Sequence, residues 1–193
     1  MKLINIQKEV QVFLTMVQHN FKLYKLVLAA LFTALIVVIS RFFIFPVPIT
    51  HGNVNLCDAG IFIVAFILGP IYGGVVGGLS GFLLDLISGY SQYMFFSLII
   101  HGLEGLIVGW LFYHYLLKNK KVNSIIAMII GAVIMVIGYF LTDMMFYGVA
   151  AGLVSLITNS IQGLLGIIVA GLIIPQLCKI SIINNLVDSS KKD

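Results

Sequence analysis

The chain has 193 residues, 61% of them hydrophobic and 9% charged, with a formal net charge of +4. Soluble domains carry about 25% charged residues, so this composition excludes a soluble globular protein and predicts an all-α integral membrane protein. Basic residues that flank a membrane explain the positive charge, and no nucleic-acid partner is predicted from it.

Residues 1–25 form a mixed segment ahead of the apolar part of the chain. Its apolar residues, among them Ile6, Val10 and Phe13, recur at helical spacing with Lys, Glu and Gln between them. This pattern predicts a short amphipathic helix on the membrane surface, and a leader without stable structure is the alternative. The segment lacks the clean apolar core and the cleavage site of a signal peptide.

Residues 26–178 form the predicted membrane domain, which at ~20 residues per crossing has room for about six helices. We place six transmembrane helices at 26–45, 59–68, 71–87, 93–117, 122–147 and 153–177. The first ends before Pro46 and the second ends at Gly69, because proline disfavours helix at and before its own position. The second crossing is short, so we expect it to be tilted or shielded by protein.

The third predicted crossing is rich in glycine. Its glycines are spaced as overlapping small-xxx-small patterns, at Gly73, Gly74, Gly77, Gly78 and Gly81. Such faces let two helix backbones approach closely. We therefore expect this helix to pack directly against a neighbour.

The basic residues predict the orientation of the domain. Of the eleven Lys and Arg, four lie in the N-terminal segment, three in the turn after the fourth crossing and three in the predicted cytoplasmic tail, residues 179–193. Six crossings with both termini in the cytoplasm put all of these on the inner side, as positive residues prefer. The chain is thus predicted to be a multi-pass protein of the plasma membrane.

The fourth crossing carries a polar stripe, because Ser97, His101 and Glu104 recur at i, i+4 and i+7 and share one helix face. An ionisable group at membrane depth is costly unless it meets a partner or a wet cavity. The fifth and sixth crossings carry similar stripes, at Tyr139, Asp143 and Tyr147 and at Ser155, Asn159 and Gln162. Three stripes at similar depth favour one shared cavity, and hydrogen bonds between neighbouring helices are the alternative.

Two further groups border this predicted cavity. The first outer loop contains His51 and Asn55. A solvated loop is the default interpretation, and a lid over the cavity that binds the ligand is the alternative. Tyr90 lies in the loop before the fourth crossing and Tyr93 begins that crossing. Both belong either to an aromatic belt or to the pocket walls. Aromatic walls suit a flat heteroaromatic ligand.

Arg41 is the one basic residue inside a predicted crossing. An arginine near the membrane interface usually pairs with an acid or extends to water. We expect an ion pair with Asp58 or Asp85 that shapes the outer mouth, and direct contact with a ligand is the alternative.

The sequence has no Walker motif, catalytic triad or zinc-ligand spacing, so it predicts no enzyme, no bound metal and no cofactor of its own. Cys57 and Cys178 fall near opposite ends of their crossings, so we expect no disulfide between them. The two halves show no clear inverted repeat, which weakens a secondary-transporter interpretation.

Residues 53–111 resemble the S components of energy-coupling factor (ECF) vitamin transporters, in the riboflavin-type branch that includes proteins for hydroxymethylpyrimidine and pyridoxine. The motifs that carry the resemblance are Asn55–Ala59 (NLCDA), Leu68–Pro70 (LGP), Asp85–Tyr90 (DLISGY) and His101–Gly105 (HGLEG). Cys57 stands where glycine is usual and His101 where lysine is common, and the second difference bears on ligand choice.

The resemblance implies a subunit that captures a vitamin and joins a membrane scaffold subunit and two ABC-type ATPases, which use ATP and Mg²⁺. It also implies a docking motif of small residues on the first helix, here Ala30, Ala34 and Val38, with Val38 in place of the third alanine. Family members are thought to topple in the membrane, so that the loaded site reaches the cytoplasm.

The resemblance places the ligand site among helices four to six, under the first loop. Glu104 and His101 are expected to bond a ring nitrogen or hydroxyls of the ligand, and Asn159 and Gln162 to supply amide groups. The predicted substrate-binding residues are His51, Asn55, Tyr90, Tyr93, Ser97, His101, Glu104, Asp143, Tyr147, Asn159 and Gln162. The expected ligand is hydroxymethylpyrimidine or pyridoxine; the alternatives are riboflavin, a stand-alone channel or carrier, and a purely structural subunit.

Overall fold

The computed structural model describes residues 23–114 and 119–190, which form helices and one small antiparallel hairpin. In chain order these elements are α1 (Leu23–Phe42), β1 (Phe45–Val47), β2 (Gly52–Val54), α2 (Cys57–Leu68), α3 (Pro70–Ser88), α4 (Met94–Tyr113), α5 (Lys120–Tyr147), α6 (Val149–Leu177) and α7 (Ser181–Ser190). The all-helical membrane architecture is confirmed, apart from the hairpin.

Within the described ranges, five helices are long and apolar enough to cross a membrane: α1, α3, α4, α5 and α6. Helix α2 has 12 residues and is therefore about 18 Å long, shorter than the ~30 Å hydrocarbon core. Most of its residues are buried, which fits the expectation of shielding by protein. Of the six predicted transmembrane helices, five are thus long enough to cross a membrane. A sixth crossing and the orientation of the termini stay predictions.

The chain that leads into α2 is extended rather than helical. Residues 52–56 run from β2 into α2, and the backbone N–H of Asn55 donates to the side-chain oxygen of Gln162 on α6, at 2.9 Å. Non-helical backbone at membrane depth persists only where protein groups or a cavity satisfy it. Gln162 meets this requirement for Asn55.

Several predicted boundaries shift. Helix α1 ends at Phe42 rather than at residue 45, because the residues before Pro46 and Pro48 adopt turn and strand conformations. Residues 23–25, predicted as part of the N-terminal segment, belong to α1, whereas residues 1–22 and their predicted amphipathic helix lie outside the described residues. Helix α4 ends at Tyr113 rather than at residue 117. The predicted tail contributes α7, whose Leu186 is buried in a cluster with residues of α1 and α2.

Helices α3 and α4 pack backbone against backbone, as the glycine pattern predicted. A Cβ atom at Gly77 would lie 2.4 Å from the carbonyl oxygen of His101, and one at Gly105 would lie 2.2 Å from that of Gly73. Any side chain here would force the helices apart. This contact fixes the position of α4, which carries His101 and Glu104.

Close contacts also place α2 and α6 around the same region. A Cβ atom at Gly166 on α6 would lie 2.8 Å from the Cβ of Asp58 on α2. Gly148 is the single residue between α5 and α6, and its φ of 87° lies in the region that favours glycine. The turn at Gly148 therefore places α5 and α6 next to each other.

Candidate functional site

A cavity of about 30 Å³ lies beneath the β1–β2 hairpin. By the measure in which one water needs about 10–15 Å³, it has room for roughly two or three water molecules. Its walls come from the hairpin region, from α3 to α6 and from the residue before α4. The lining residues are Val47, Thr50, Gly52, Asn53, Asn55, Gly81, Leu84, Asp85, Tyr93, His101, Tyr139, Asp143, Thr158, Asn159 and Gln162.

The floor of the cavity is a buried cluster of one imidazole and two carboxyl groups. His101 Nδ1 lies 2.7 Å from Glu104 Oε2 and 3.5 Å from Asp58 Oδ1. The amide of Gln162 donates to Asp58 Oδ1 at 3.4 Å. Asp58 and Glu104 have no solvent exposure, so these contacts hold the His101 ring in one orientation.

A hydrogen-bonded series continues from this floor along one wall. His101 Nε2 lies 3.1 Å from the hydroxyl of Tyr139, which lies 2.6 Å from Ser97 Oγ. The Ser97 hydroxyl in turn donates to the carboxyl group of Asp85. Polar groups of α3, α4 and α5 are thus joined in one network.

The hairpin is fastened over the cavity by Tyr93. Its hydroxyl donates to the Asp143 carboxyl group and is shared with the backbone carbonyl of Thr50. Burial and the hydrogen bond to Asp143 raise the pKa of Tyr93, so the phenol keeps its proton and remains a donor. One hydroxyl therefore connects the bundle to the hairpin.

Further bonds hold the hairpin and the chain that follows it. Asn55 Oδ1 accepts from the N–H of Cys57 at 2.8 Å, and Asn55 Nδ2 donates to Asn53 Oδ1 at 2.8 Å. The Gln92 side chain donates to the carbonyl of His51 at 3.3 Å. The hairpin is therefore positioned by specific contacts.

The structure brings most of the predicted binding residues together. Those that line the cavity are Asn55, Tyr93, His101, Asp143, Asn159 and Gln162. Ser97 and Glu104 are fully buried behind the lining, where each bonds to a lining residue. They can orient groups of the site without contacting a ligand in this arrangement.

Three predicted residues lie away from the lining. The rings of His51 and Tyr147 face each other with centroids 5.3 Å apart, and Tyr147 is substantially exposed. Tyr90 lies just beyond α3 and is half-buried. These three do not form the walls of the cavity as it stands.

The predicted ion pair of Arg41 is absent from the structure. Arg41 is exposed on α1, whereas Asp58 and Asp85 are buried and bond to His101 and Ser97 instead. The sequence prediction paired residues by similar depth alone. Depth does not determine which face of a helix carries the side chain, and here the acids face the cavity.

Sequence reasoning missed several lining residues. Asp85 was assigned to the ion pair, and Tyr139 was recognised in a polar stripe but not proposed for binding. Thr158 precedes Asn159 and stands outside the stripe of α6. Val47, Gly52 and Leu84 carry no chemical signal. The hairpin register pairs Val47 with Gly52, and Leu84 is a buried residue of α3.

The three residues of the small-residue motif lie exposed on α1. Ala30, Ala34 and Val38 share that face, whereas Ala29 and Ile36 pack into the core. The motif is therefore accessible to a partner in the membrane.

Asp58, His101 and Glu104 are also the residues whose donor atoms could surround a metal ion, since those atoms all lie within 4.8 Å of one another. The 2.7 Å separation of His101 Nδ1 and Glu104 Oε2 is that of a hydrogen bond to a charged group. The two atoms are placed to share a proton.

Comparisons with known proteins identify relatives of this chain. Residues 20–179 match the model of a family described as the S component of the ECF-type riboflavin transporter. The chain is 37% identical over 166 residues to the thiamine precursor transporter HmpT of Lactococcus lactis, covering 86% of this chain and 94% of that protein. It is 32% identical over 130 residues to an uncharacterized protein of Pyrococcus woesei, covering 65% of this chain and 82% of that protein.

Proposed function

The chain belongs to the family of ECF-type riboflavin transporter S components, and from this premise we propose that it captures a single-ring vitamin precursor, hydroxymethylpyrimidine or, second, pyridoxine. As a family member it is a multi-pass membrane protein for vitamin uptake. The resemblance indicated by the motifs in residues 53–111 is thereby confirmed.

The observation that carries the proposal is the polar cavity beneath the hairpin. Its volume of about 30 Å³ is smaller than a six-membered ring, so the hairpin would have to move to admit one. A three-ring flavin would require a much larger displacement. The size of the cavity thus favours a pyrimidine or pyridine over riboflavin.

The lining supplies the groups that such a ring needs. Small-molecule sites combine apolar walls with a few placed polar groups. Here Tyr93 and Tyr139 offer ring surfaces, with centroids 6.3 Å apart, and Asn159 and Gln162 offer amide donors and acceptors. His101 presents Nε2 on the same side.

The similarity to a thiamine precursor transporter supports the choice of substrate. Hydroxymethylpyrimidine is the pyrimidine part of thiamine and has one ring. We therefore place it ahead of pyridoxine, which has a similar size but different ring substituents.

We further propose that the chain works with a membrane scaffold subunit and two ATPases. The exposed motif of Ala30, Ala34 and Val38 on α1 supports docking of the scaffold, because small residues let helices approach closely in a membrane. ATP and Mg²⁺ would then be used by the partner subunits, and the chain itself would carry no cofactor.

The proposed orientation places both termini in the cytoplasm and the hairpin outside. The basic residues support it. Together with the five long helices, residues 52–68 would then complete six crossings, as extended chain followed by helix α2. Substrate would then enter from the hairpin side.

Mass spectrometry of small molecules released from gently purified protein, followed by calorimetry with each candidate vitamin, tests this function. We expect a pyrimidine or pyridine at near-stoichiometric yield. Riboflavin, which the family description names, is the alternative substrate, and a flavin released instead would establish it. The absence of any ligand and of any heat would refute vitamin capture.

A flux assay in liposomes separates the proposed subunit from a stand-alone carrier. The chain alone should bind substrate without net transport, and uptake should require the scaffold and the ATPases with ATP. Transport by the purified chain alone would contradict the S-component mechanism.

A further inference from the structure

We propose that the cavity binds its ligand as a cation, a protonated and unphosphorylated aminopyrimidine held by Asp85 and Asp143, and that it rejects the phosphate ester of the same ring. This inference rests on the proposed function and narrows it to one ionic form of one substrate class.

The first argument is the distribution of charge. The chain has seven acidic residues, and four of them, Asp58, Asp85, Glu104 and Asp143, lie at or directly beneath the cavity with exposures of 7% or less. No lysine or arginine is among the lining residues. In the part of the chain that the structure describes, His101 is the basic side chain that contacts this group.

The second argument is that part of this acidic group has no partner. Asp58 Oδ2 and Glu104 Oε1 are buried without a hydrogen bond. An ionised carboxylate without a hydrogen bond is costly at membrane depth. A cation in the cavity would favour the ionised form of these carboxyl groups, whereas a phosphate would disfavour it.

The third argument is the chemistry of the ring. A protonated 4-aminopyrimidine shares its positive charge between the ring N–H and the amino group, so it presents donors at two ends. Asp85 on α3 and Asp143 on α5 both line the cavity and are acceptors for such donors. The proton comes from solvent when the neutral base binds.

Pyridoxine fits this environment less well. Its phenol loses a proton readily when the ring nitrogen is protonated, so the ligand has no net positive charge and its phenolate would face the same carboxyl groups. The acidic lining therefore favours hydroxymethylpyrimidine over pyridoxine. The volume of the cavity does not distinguish these two ligands.

A calorimetric series on the wild-type protein tests the charge requirement. The ligands are hydroxymethylpyrimidine, its phosphate ester, and an analogue with a methyl group in place of the amino group. We expect the ester and the analogue to bind at least about 100-fold and 10-fold more weakly, respectively, since hydrogen bonds between charged groups have effects of this size. Equal affinities would overturn the inference.

The position of the proton must be measured on the ligand, because several groups of the site can also titrate. They are Asp58 on α2, Asp85 on α3, Tyr93, His101 and Glu104 on or beside α4, and Tyr139 and Asp143 on α5. We therefore propose ¹⁵N NMR of ring-labelled hydroxymethylpyrimidine bound to the wild-type protein, at a pH where the free ligand is neutral. The bound ring nitrogen should show the shift of the protonated form, and a neutral shift would overturn the inference.

Variants test whether the carboxyl groups of Asp85 and Asp143 hold the ligand. Asp85→Asn and Asp143→Asn should each weaken binding of hydroxymethylpyrimidine by about 10- to 100-fold, whereas Asp188→Asn on α7 should leave it unchanged. If the variants do not fold, the wild-type measurements above still decide the question. Unchanged affinity in both folded cavity variants would count against the inference.

The remaining outcomes are distinguishable. Tight binding of a neutral pyrimidine would leave the proposed function intact and remove the inference. Binding of no heterocycle would remove both. Stoichiometric metal in the purified protein, with loss of ligand binding after chelation, would show that a metal ion rather than the ligand compensates the acids, and would also overturn the inference.

Discussion

The side-chain oxygen of Gln162 accepts a hydrogen bond from the backbone N–H of Asn55, 107 positions earlier in the chain, at 2.9 Å. The amide nitrogen of the same side chain donates to Asp58. One residue of α6 therefore supports both the extended chain ahead of α2 and the acidic floor of the cavity.

We predict that Gln162→Leu weakens ligand binding by at least about tenfold. The change leaves the N–H of Asn55 buried without an acceptor, at a cost of about 1–3 kcal/mol. Calorimetry measures the affinity, and limited proteolysis reports loosening of the hairpin. Gln176→Leu near the end of α6 is the matched control, since Gln176 lies exposed and bonds to Lys179; an equal loss in this control would show a general effect of removing an amide.

Glu104 provides a graded test of its positioning role. Glu104→Gln keeps an oxygen that can accept from His101 Nδ1, so affinity should fall by less than about fivefold. Glu104→Leu removes the acceptor and should weaken binding by more than about tenfold. Titration of both variants with the ligand checks the order, and a larger loss in the Gln variant would point to a direct charge contact instead.

Tyr93→Phe should speed ligand release. The phenol bridges Asp143 and the carbonyl of Thr50, and its loss should weaken binding by about tenfold through a faster off-rate. Stopped-flow release of bound ligand measures this rate. Tyr90→Phe removes a hydroxyl from a residue outside the lining and should change nothing; a similar acceleration there would argue against the bridge.

Gly105→Ala should destabilise the bundle by about 1–3 kcal/mol, because its Cβ would lie 2.2 Å from the carbonyl oxygen of Gly73. Thermal unfolding in detergent should show a lower Tm. Gly171→Ala on α6 is the control, since a Cβ there meets no atom within 4 Å, and its Tm should not fall. Equal melting of the two variants would contradict the close contact of α3 and α4.

The exposed small residues of α1 allow a test of the proposed assembly with the scaffold subunit. Ala34→Trp should abolish co-purification with the scaffold subunit and reduce uptake, while ligand binding by the isolated chain stays unchanged. Leu172→Trp, at an exposed position on α6, is the control for a bulky residue in the lipid-facing surface. Loss of assembly in both variants would show that the effect is not specific to α1.

Helix positions were predictable because they depend on local properties of the sequence. These are the length of each apolar segment and the glycine and proline residues at its ends. The sequence located α3 within a residue or two, and the polar stripes of α4, α5 and α6 correctly indicated one cavity. The register of the hairpin and the extended path of residues 52–56 depend on contacts with distant residues such as Gln162 and Tyr93. These contacts leave no periodic pattern in the sequence.

The partners of the acidic residues were the part least accessible to sequence reasoning. Depth alone suggests an ion pair of Arg41 with Asp58 or Asp85. In the structure Asp58 contacts His101 and Asp85 accepts from Ser97 instead. Side-chain direction depends on helix rotation, which packing at Gly166 and Gly81 determines. A single sequence shows the spacing of these glycines but not the neighbour that each one meets.

The shortness of α2 has a consequence for biogenesis. A segment of 12 residues is too short to enter the bilayer as an independent span, so it must be inserted together with α3, to which Gly69 and Pro70 join it in a tight turn. The extended chain ahead of α2 obtains its hydrogen bond from Gln162 only once α6 has been synthesised. The cavity beneath the hairpin is therefore completed last, and we expect a nascent chain that lacks α6 not to bind a ligand there.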